Sequence, residues 1–353
     1  MSFFLPLLPL VLAAPTTPPP RAIVIAHRGA SGYLPEHTLE AKSLAHEMGA
    51  DYLEQDLVMT KDDRLVVLHD RYLDRVSDVA AVFPGRARKD GRFYAIDFTL
   101  AEMRTLRVTE GFEIDAEGKQ VAVFPGRYPL WKGRFGVHTF AEELELIAGL
   151  NRTTGRTVGI YPEIKAPWFH RREGKDISVA ALEVLARYGY TDRDHLAFLQ
   201  CFDPNELRRI AGTLMPARKM RLKLVQLIAE TAWGETMEKG GDGRWVNYDY
   251  GWMHQPGGMA KVAEYAQGVG PWKPMVVSNA STRKARVFTG LVGAAHAAGL
   301  KVHPYTFRAD EGRVPAYARD FEDMVRIFVE EAGVDGVFSD FPDRALKAIS
   351  RPR

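Results

Sequence analysis

The chain of 353 residues is 46% hydrophobic and 26% charged, a globular composition with room for one large domain or two ordinary ones. Its 47 basic and 45 acidic residues leave a net charge of +2 without a basic tract, which argues against a nucleic-acid-binding protein. The single cysteine, Cys201, excludes an intramolecular disulfide and a cysteine-based zinc site.

The N-terminal segment differs from the rest of the chain. Its apolar run ends at Val11-Leu12-Ala13-Ala14 and is too short to span a bilayer. The run is typical of a secretory signal, although no Lys or Arg precedes it, and the Thr/Pro stretch 16–20 indicates an extended linker. We therefore predict a signal peptide and linker over residues 1–21, and one folded domain over residues 22–350 without stable membrane insertion.

From residue 22 onwards, short β-rich apolar runs alternate with amphipathic segments. Thr139 and Glu142 have capping-box spacing, and Gly49, Gly189 and Gly299 suit left-handed helix ends. This alternation predicts an α/β fold, a (β/α)8 TIM barrel. A doubly wound open sheet is the alternative, but no G-x-G-x-x-G follows the first strand. The eight strands are predicted at 22–26, 51–58, 157–164, 196–202, 222–228, 266–270, 300–306 and 335–339.

Two segments interrupt the simple repeat. Residues 71–137 are long for one connection and contain a predicted helix over 99–106, which opens with a capping box from Thr99 to Glu102. We interpret this segment as an insertion after the second strand and its hairpin, covering one face of the barrel. Residues 229–256, rich in Trp, Gly and Tyr, predict a second elaborated loop.

Polar side chains stand where the predicted strands end. Barrel active sites form from the loops at those ends, and a barrel without a site would show a mixture of polar and apolar ends. The sequence therefore predicts a site on this rim. The strand-end residues are His27, Arg28, Glu54, Asp56, Glu163, Lys165, Gln200, Gln226, His303, Tyr305, Ser339 and Asp340.

Glu54 and Asp56 lie two residues apart on one strand and therefore point to the same face. Buried like charges repel unless a cation or a proton intervenes, and Glu163 adds a third carboxylate at the next strand end. Oxygen ligands without zinc-type spacing favour a hard cation, Mg²⁺ or Ca²⁺. The alternative is a set of structural carboxylates paired with a lysine.

Residues 60–64 are too short for a parallel crossover and predict a hairpin turn. With Asp62-Asp63 as a two-residue loop, His69 lies opposite Asp56, whereas a slip of one residue would turn it to the other face. His27 and His69 are then candidate general base and acid. Arg28 and Lys165 favour an anionic, phosphate-containing substrate. We interpret His37 and His46 as ordinary surface or packing histidines, and His138 as structural.

At these residues the chain resembles the glycerophosphodiester phosphodiesterases, most closely their secreted periplasmic bacterial branch. The segments that carry the resemblance are "AHRGASGYLPEHT", "YLEQDLVMTKDDRLVVLHD", "GIYPEIKAPWF", "LQCFD", "VHPYTFR" and "GVFSDFPD". The resemblance implies a TIM barrel, a divalent cation (Ca²⁺ rather than Mg²⁺), a periplasmic location and hydrolysis of glycerophosphodiesters to sn-glycerol 3-phosphate and an alcohol. In the implied mechanism a glycerol hydroxyl attacks phosphorus, and water then opens the cyclic phosphate.

By position, the resemblance also implies roles for individual residues. His27 and His69 match the acid/base pair, Glu54, Asp56 and Glu163 match the metal ligands, and Arg28 and Lys165 match phosphate contacts. Gln200 and Tyr305, which lie at strand ends, are further expected substrate-binding residues. The expected partner is a small-molecule glycerophosphodiester, with oligomerisation left open.

Two other functions are weighed against this one. A lysophospholipase D would need an apolar trough beside the site, for which Trp131, Trp168 and Trp252 are the candidates. A secreted binding protein that keeps the fold without activity predicts an eroded polar rim, whereas each expected functional position is filled.

Overall fold

The computed structural model describes residues 21–350, so the predicted signal peptide and almost all of its linker lie outside the described residues. The strands in that range are β1 (Ile23–Ala26), β2 (Tyr52–Met59), β3 (Leu65–Val67), β4 (Phe112–Ile114), β5 (Gln120–Ala122), β6 (Gly159–Ile164), β7 (Phe198–Cys201), β8 (Lys223–Ile228), β9 (Met237–Lys239), β10 (Trp245–Asn247), β11 (Gly268–Pro271), β12 (Lys301–Val302) and β13 (Gly336–Ser339).

The helices lie between and after these strands. They are α1 (Leu39–Glu47), α2 (Val79–Val82), α3 (Leu100–Met103), α4 (Phe140–Thr154), α5 (Pro167–Arg172), α6 (Ile177–Arg187), α7 (Pro204–Arg209), α8 (Met215–Ala217), α9 (Gly258–Ala263), α10 (Leu291–Ala297), α11 (Phe321–Arg326) and α12 (Pro342–Ser350). Within residues 21–350, none is long and apolar enough to cross a membrane.

The central sheet is a nearly closed ring of parallel strands in the order β12, β11, β8, β7, β6, β2, β1, β13. The ends of the ring meet where the Asp335 amide donates to the Val302 carbonyl oxygen at 3.0 Å and the Phe307 amide donates to Phe338 at 2.8 Å. The predicted TIM barrel is therefore confirmed, with each predicted strand present. The seventh is shorter than expected because Pro304 has no N–H to continue the ladder.

Side-chain alternation along the strands separates the barrel interior from the helix layer. Leu53 and Leu57 of β2 are fully buried in the large cluster that the strands share with the surrounding helices. Tyr52 lies on the opposite face and packs with Tyr161 and Phe198, whose rings stack at 4.9 Å. Because Glu54 and Asp56 follow Tyr52 on the same face, they sit above this aromatic floor.

Several predicted helix ends are confirmed. Thr139 and Thr99 each form a complete capping box with the Glu three residues later. Gly49 follows α1 with φ at 87°, a left-handed conformation that a residue with a Cβ rarely adopts. The helix expected over 99–106 begins as predicted but ends at Met103.

Residues 71–137 form the insertion predicted after the second strand and its hairpin. Phe93, Phe98 and Met103 are buried in a separate hydrophobic cluster that covers Val58 and Val66 of the β2–β3 hairpin. Farther along, the insertion carries the β4–β5 hairpin and then Arg127, which reaches the end of β13. The insertion therefore contributes a side chain to the rim where the barrel strands end.

Candidate active site

A cavity of about 470 Å³ opens at the carboxyl ends of the barrel strands. All nine predicted site residues line it: His27, Arg28, Glu54, Asp56, His69, Glu163, Lys165, Gln200 and Tyr305. Gln226 and His303 are also at strand ends but do not line this cavity. Gln226 donates to the Phe202 carbonyl oxygen at 3.0 Å, and the His303 imidazole lies 2.8 Å from the Tyr161 hydroxyl.

A tight turn after β1 brings Arg28 against the carboxylates of β2. Arg28 and Gly29 have φ values of 59° and 87°, and a Cβ on Gly29 would lie 2.8 Å from the Ala41 carbonyl carbon. Only glycine fits the second position without displacing α1. The turn directs the Arg28 amide to Glu54 Oε2 at 2.6 Å, and its guanidinium to Glu36 Oε2 at 2.5 Å.

Glu54 and Asp56 are a buried carboxylate pair with opposite pKa shifts. Burial and the charge of Asp56 raise the pKa of Glu54 well above its usual value. Burial would do the same to Asp56, but Lys165 and a hydrogen bond from His37 hold the pKa of Asp56 well below its usual value. A proton on Glu54 relieves the repulsion between the two carboxylates, and a bound cation would take the place of that proton.

The interpretation of His37 as an ordinary histidine is wrong. His37 is buried, has φ at 55° and places Nε2 2.7 Å from Asp56 Oδ2. One ligand atom each from His37, Glu54 and Asp56 lies within 4.8 Å of the others. The other Asp56 oxygen, Oδ1, is buried without a hydrogen-bond partner among the described residues. This donor set fits a divalent cation.

Glu163 lies beside Asp56 in the β2–β6 register. Its carboxylate is 2.9 Å from Lys165 Nζ, which is also 3.8 Å from Asp56. Burial and Asp56 together raise the pKa of Glu163 to about 8, despite the attraction of Lys165. The lysine pairing that the sequence left as an alternative is therefore present, next to the cluster that fits a cation.

His27 is held by a carboxylate and two arginines. Its Nδ1 is 2.6 Å from Asp340 Oδ1, while Asp340 Oδ2 accepts from Arg127 at 2.5 Å and Arg308 at 2.9 Å. Burial, with help from Arg28, lowers the pKa of His27 to about 3 against the opposing effect of Asp340. A neutral imidazole that donates from Nδ1 to Asp340 leaves Nε2 as an acceptor.

The predicted hairpin register that placed His69 is wrong by one residue. Leu57 pairs with Val67 rather than with Leu68, and the Thr60 amide donates to the Arg64 carbonyl oxygen across a three-residue loop. Asp63 occupies the left-handed position of this loop, with φ at 60°. The last ladder bond runs from the Leu68 amide to the Asp56 carbonyl oxygen at 2.9 Å. His69 lies just past it, so the register does not fix the direction of its side chain, which still lines the cavity.

A buried lysine supports the carboxylate strand from behind. Lys42 of α1 donates to the Glu54 carbonyl oxygen and forms an ion pair with Glu143 at 3.0 Å. Glu143 also bonds to His138 at 2.8 Å, which agrees with a structural role for that histidine. His46 is a packing histidine 3.0 Å from the Asn151 amide oxygen.

The tryptophans expected to form an apolar trough are not those that line the cavity. Trp131 donates to Gln120 inside the insertion, Trp168 donates to the Glu235 carbonyl oxygen, and Trp252 donates to the Tyr248 hydroxyl. The apolar wall is instead formed by Phe202, Leu227, Trp233, Trp272, Pro274, Pro315 and Phe338.

Comparison with known proteins agrees with this geometry. Residues 27–344 match the glycerophosphoryl diester phosphodiesterase family. The chain is 54% identical to a glycerophosphodiester phosphodiesterase of Haemophilus influenzae, over 93% of this chain and 89% of the relative. It is 45% identical to one of Treponema pallidum, over 94% of this chain and 92% of the relative.

A solved structure shows the same fold at lower identity. A phosphodiesterase of Oleispira antarctica, in complex with the product sn-glycerol-3-phosphate, superposes with a TM-score of 0.59 at 20% identity, over 94% of this chain and 98% of that one. The names of the matched relatives give the predicted activity. The matched residues 27–344 contain the predicted strand-end motifs. The chain therefore belongs to the glycerophosphoryl diester phosphodiesterase family.

Proposed function

We propose that this cavity cleaves glycerophosphodiesters, such as glycerophosphocholine and glycerophosphoethanolamine, to sn-glycerol 3-phosphate and the alcohol by histidine acid/base catalysis. The observation that carries the proposal is the meeting of two imidazoles, three carboxylates and two cationic side chains around one cavity. The retained polar rim also argues against an inactive binding protein.

His27 is the proposed general base. Because Asp340 fixes the Nδ1 proton, Nε2 can take the proton of the glycerol hydroxyl as its oxygen attacks phosphorus. The low pKa of the imidazole keeps this nitrogen unprotonated at neutral pH. Its basicity is correspondingly modest, so the hydroxyl must also be made more acidic within the site.

His69 is the proposed general acid. Its Nδ1 lies 2.8 Å from Asp70 Oδ1, which fixes the ring and leaves Nε2 free. As the phosphorus–oxygen bond to the alcohol breaks, His69 donates a proton to the departing oxygen. In the second half of the reaction, the cyclic phosphate is hydrolysed. A water molecule gives a proton to His69 as the water oxygen attacks phosphorus, and His27 returns its proton to the departing glycerol oxygen.

A divalent cation is the proposed cofactor, held by Glu54, Asp56 and Glu163, with Ca²⁺ expected rather than Mg²⁺. When bound, it would neutralise negative charge and make a nearby hydroxyl more acidic. His37 orients Asp56 through its 2.7 Å bond, as supporting residues of metal ligands do. Lys165 would then turn from Glu163 towards the substrate phosphate.

Arg28 and Lys165 are the proposed phosphate contacts, with Gln200 and Tyr305 at the substrate-binding wall. The buried Arg28 Nε and Gln200 Oε1 have no hydrogen-bond partner among the described residues. Buried polar atoms without partners are costly, so both are suited to a ligand that supplies the missing bonds. The Tyr305 hydroxyl is held by the Ile228 carbonyl oxygen at 2.7 Å, which fixes the ring at the wall.

Export to the periplasm is part of the proposal and is supported by the apolar run and linker of residues 1–21. Cell fractionation and mass spectrometry of the mature N-terminus test it. Recovery of the intact N-terminus in the cytoplasm would contradict export without affecting the catalytic assignment.

A coupled assay for sn-glycerol 3-phosphate tests the reaction. We expect His27→Ala and His69→Ala each to lower turnover of glycerophosphocholine by roughly 10²- to 10⁴-fold. His254→Ala is the matched control, because this histidine is exposed and lies outside the cavity. Wild-type turnover in either cavity variant would remove that histidine from the mechanism.

Lysophospholipase D activity is the second candidate, since the apolar wall could accept an acyl chain. Choline release from lysophosphatidylcholine, compared with release from glycerophosphocholine, separates the two. We expect the deacylated substrate to be strongly preferred. A preference for the acylated substrate would favour the lysophospholipase D assignment.

A further inference from the structure

The order of strands divides the cavity into two halves. The candidate catalytic carboxylates and His27 follow β1, β2 and β6, which are neighbours in the ring. β8 and β11 lie across the ring from them, and the loops after these two strands supply Trp233, Glu235 and Trp272. A diester whose phosphate occupies the first half must place one of its organic groups in the second.

An aromatic pair forms the wall of this second half. The rings of Trp233 and Trp272 meet edge to face with centroids 5.1 Å apart, and both residues line the cavity. Trp233 is nevertheless 45% exposed. A large aromatic side chain held open to solvent inside a concave site offers its ring face to a ligand.

Glu235 gives the aromatic wall a negative charge. Its backbone is anchored by the Trp168 indole, which donates to the Glu235 carbonyl oxygen at 3.1 Å. Among the described residues, its carboxylate has no hydrogen bond and no ion pair within 4 Å.

The basic residues on this side form no ion pair with Glu235. Arg308 donates to Asp340 at 2.9 Å, and the exposed Arg313 stacks 5.1 Å from the Phe124 ring of the insertion. The Lys273 ammonium contacts the Met324 sulfur at 3.5 Å and lies near the Phe307 ring, and neither of those residues lines the cavity. The half formed by β8 and β11 therefore presents two indoles and a carboxylate that forms no ion pair with these basic side chains.

We propose that Trp233, Trp272 and Glu235 form a subsite for a cationic leaving alcohol, an amino alcohol bearing a quaternary or primary ammonium group. Indole faces attract such cations through their ring quadrupoles, and a carboxylate adds direct attraction. The subsite rests on the proposed function, because it holds the alcohol that the reaction releases. The glycerol moiety then lies on the side of the carboxylates and His27.

Steady-state kinetics with two substrates test the subsite. Glycerophosphocholine carries a cationic alcohol, and glycerophosphoglycerol carries a neutral one. We expect Trp233→Leu and Glu235→Gln each to raise KM for glycerophosphocholine about 3- to 30-fold, the first through a lost cation–π contact and the second through a lost charge attraction. KM for glycerophosphoglycerol should change less than twofold. Glu238→Gln is the matched control, since Glu238 lies on β9, in the same segment between β8 and β11, and outside the cavity.

Inhibition by tetramethylammonium is an independent readout. We expect competitive inhibition of the wild-type enzyme that weakens by the same factor in Glu235→Gln. Equal KM changes for both substrates, or unchanged inhibition in the variant, would overturn the ammonium subsite. Wild-type protein that releases glycerol 3-phosphate from neither substrate would instead refute the proposed function.

Discussion

Replacing Asp340 by asparagine tests whether this carboxylate sets the tautomer of the His27 imidazole. Asp340 does not line the cavity, yet its two oxygens are shared between His27 on one side and Arg127 and Arg308 on the other. In Asp340→Asn, the two guanidinium donors require the amide oxygen on their side. The amide N–H₂ must then face His27 Nδ1, which becomes an acceptor, and the ring proton moves to Nε2.

This tautomer removes the lone pair that the proposed base needs. We therefore expect kcat to fall roughly 10²- to 10⁴-fold, about 2.7–5.4 kcal/mol in activation free energy. KM should change little because Asp340 makes no contact in the cavity. The measurement is steady-state release of sn-glycerol 3-phosphate from glycerophosphocholine, with a thermal melt to show that the variant folds.

Asp335→Asn is the matched control, because Asp335 directly precedes β13, at the end of the strand away from the cavity, and its carboxylate bonds to His296 at 2.8 Å. It should retain wild-type kcat. Arg127→Gln should lower kcat less than Asp340→Asn does, since Arg308 still holds Asp340 Oδ2. A rise in KM with kcat unchanged in Asp340→Asn would refute the orientation argument and point to direct substrate binding.

Two predictions concern stability. Lys42→Met should lower the free energy of unfolding by about 3–5 kcal/mol, because it leaves buried Glu143 without its ammonium partner. Denaturant titration measures this change, with the exposed Lys261→Met as the control. Equal unfolding midpoints in Lys42→Met and the wild type would contradict the prediction. Burial lowers the pKa of both His170 and His303 from 6.5 to about 4, so the unfolded chain binds more protons at these two sites between those values, and each histidine should make stability fall as pH falls through that window, by up to about 1.4 kcal/mol per pH unit. Unfolding curves at pH 7, 6 and 5 for the wild type and for His170→Gln test this: the change towards pH 5 should be less unfavourable in the variant, and equal pH slopes in the two proteins would contradict it.

The barrel and the residues that line its cavity were predictable, because both depend on the local pattern of apolar and polar residues in the sequence. Continuous apolar runs mark strands buried on both faces, and the residue after each run lies on the rim wherever the strand ends. His27 and Glu163 reach the cavity for this reason. The seventh strand shows the limit, since Pro304 shortened it without changing its place in the ring.

The features of the site that the sequence did not predict depend on contacts between distant segments or on unusual backbone conformations. The left-handed Asp63 changed the hairpin register, and a left-handed φ at His37 turned a residue beside a helix into a partner of Asp56. Arg127 lies in an insertion with no repeating pattern, 213 residues from Asp340. The sequence places Asp340 at a strand end, but its bond to His27 could not be predicted, because it depends on the first and last strands lying side by side in the ring.

Removal of divalent cations tests the central claim most directly, since three acidic side chains share one rim with two imidazoles. Protein treated with a chelator and then freed of it should release almost no glycerol 3-phosphate from glycerophosphocholine, and added Ca²⁺ should restore the rate better than Mg²⁺. A rate that is the same before and after chelation would show that Glu54, Asp56 and Glu163 hold no catalytic cation.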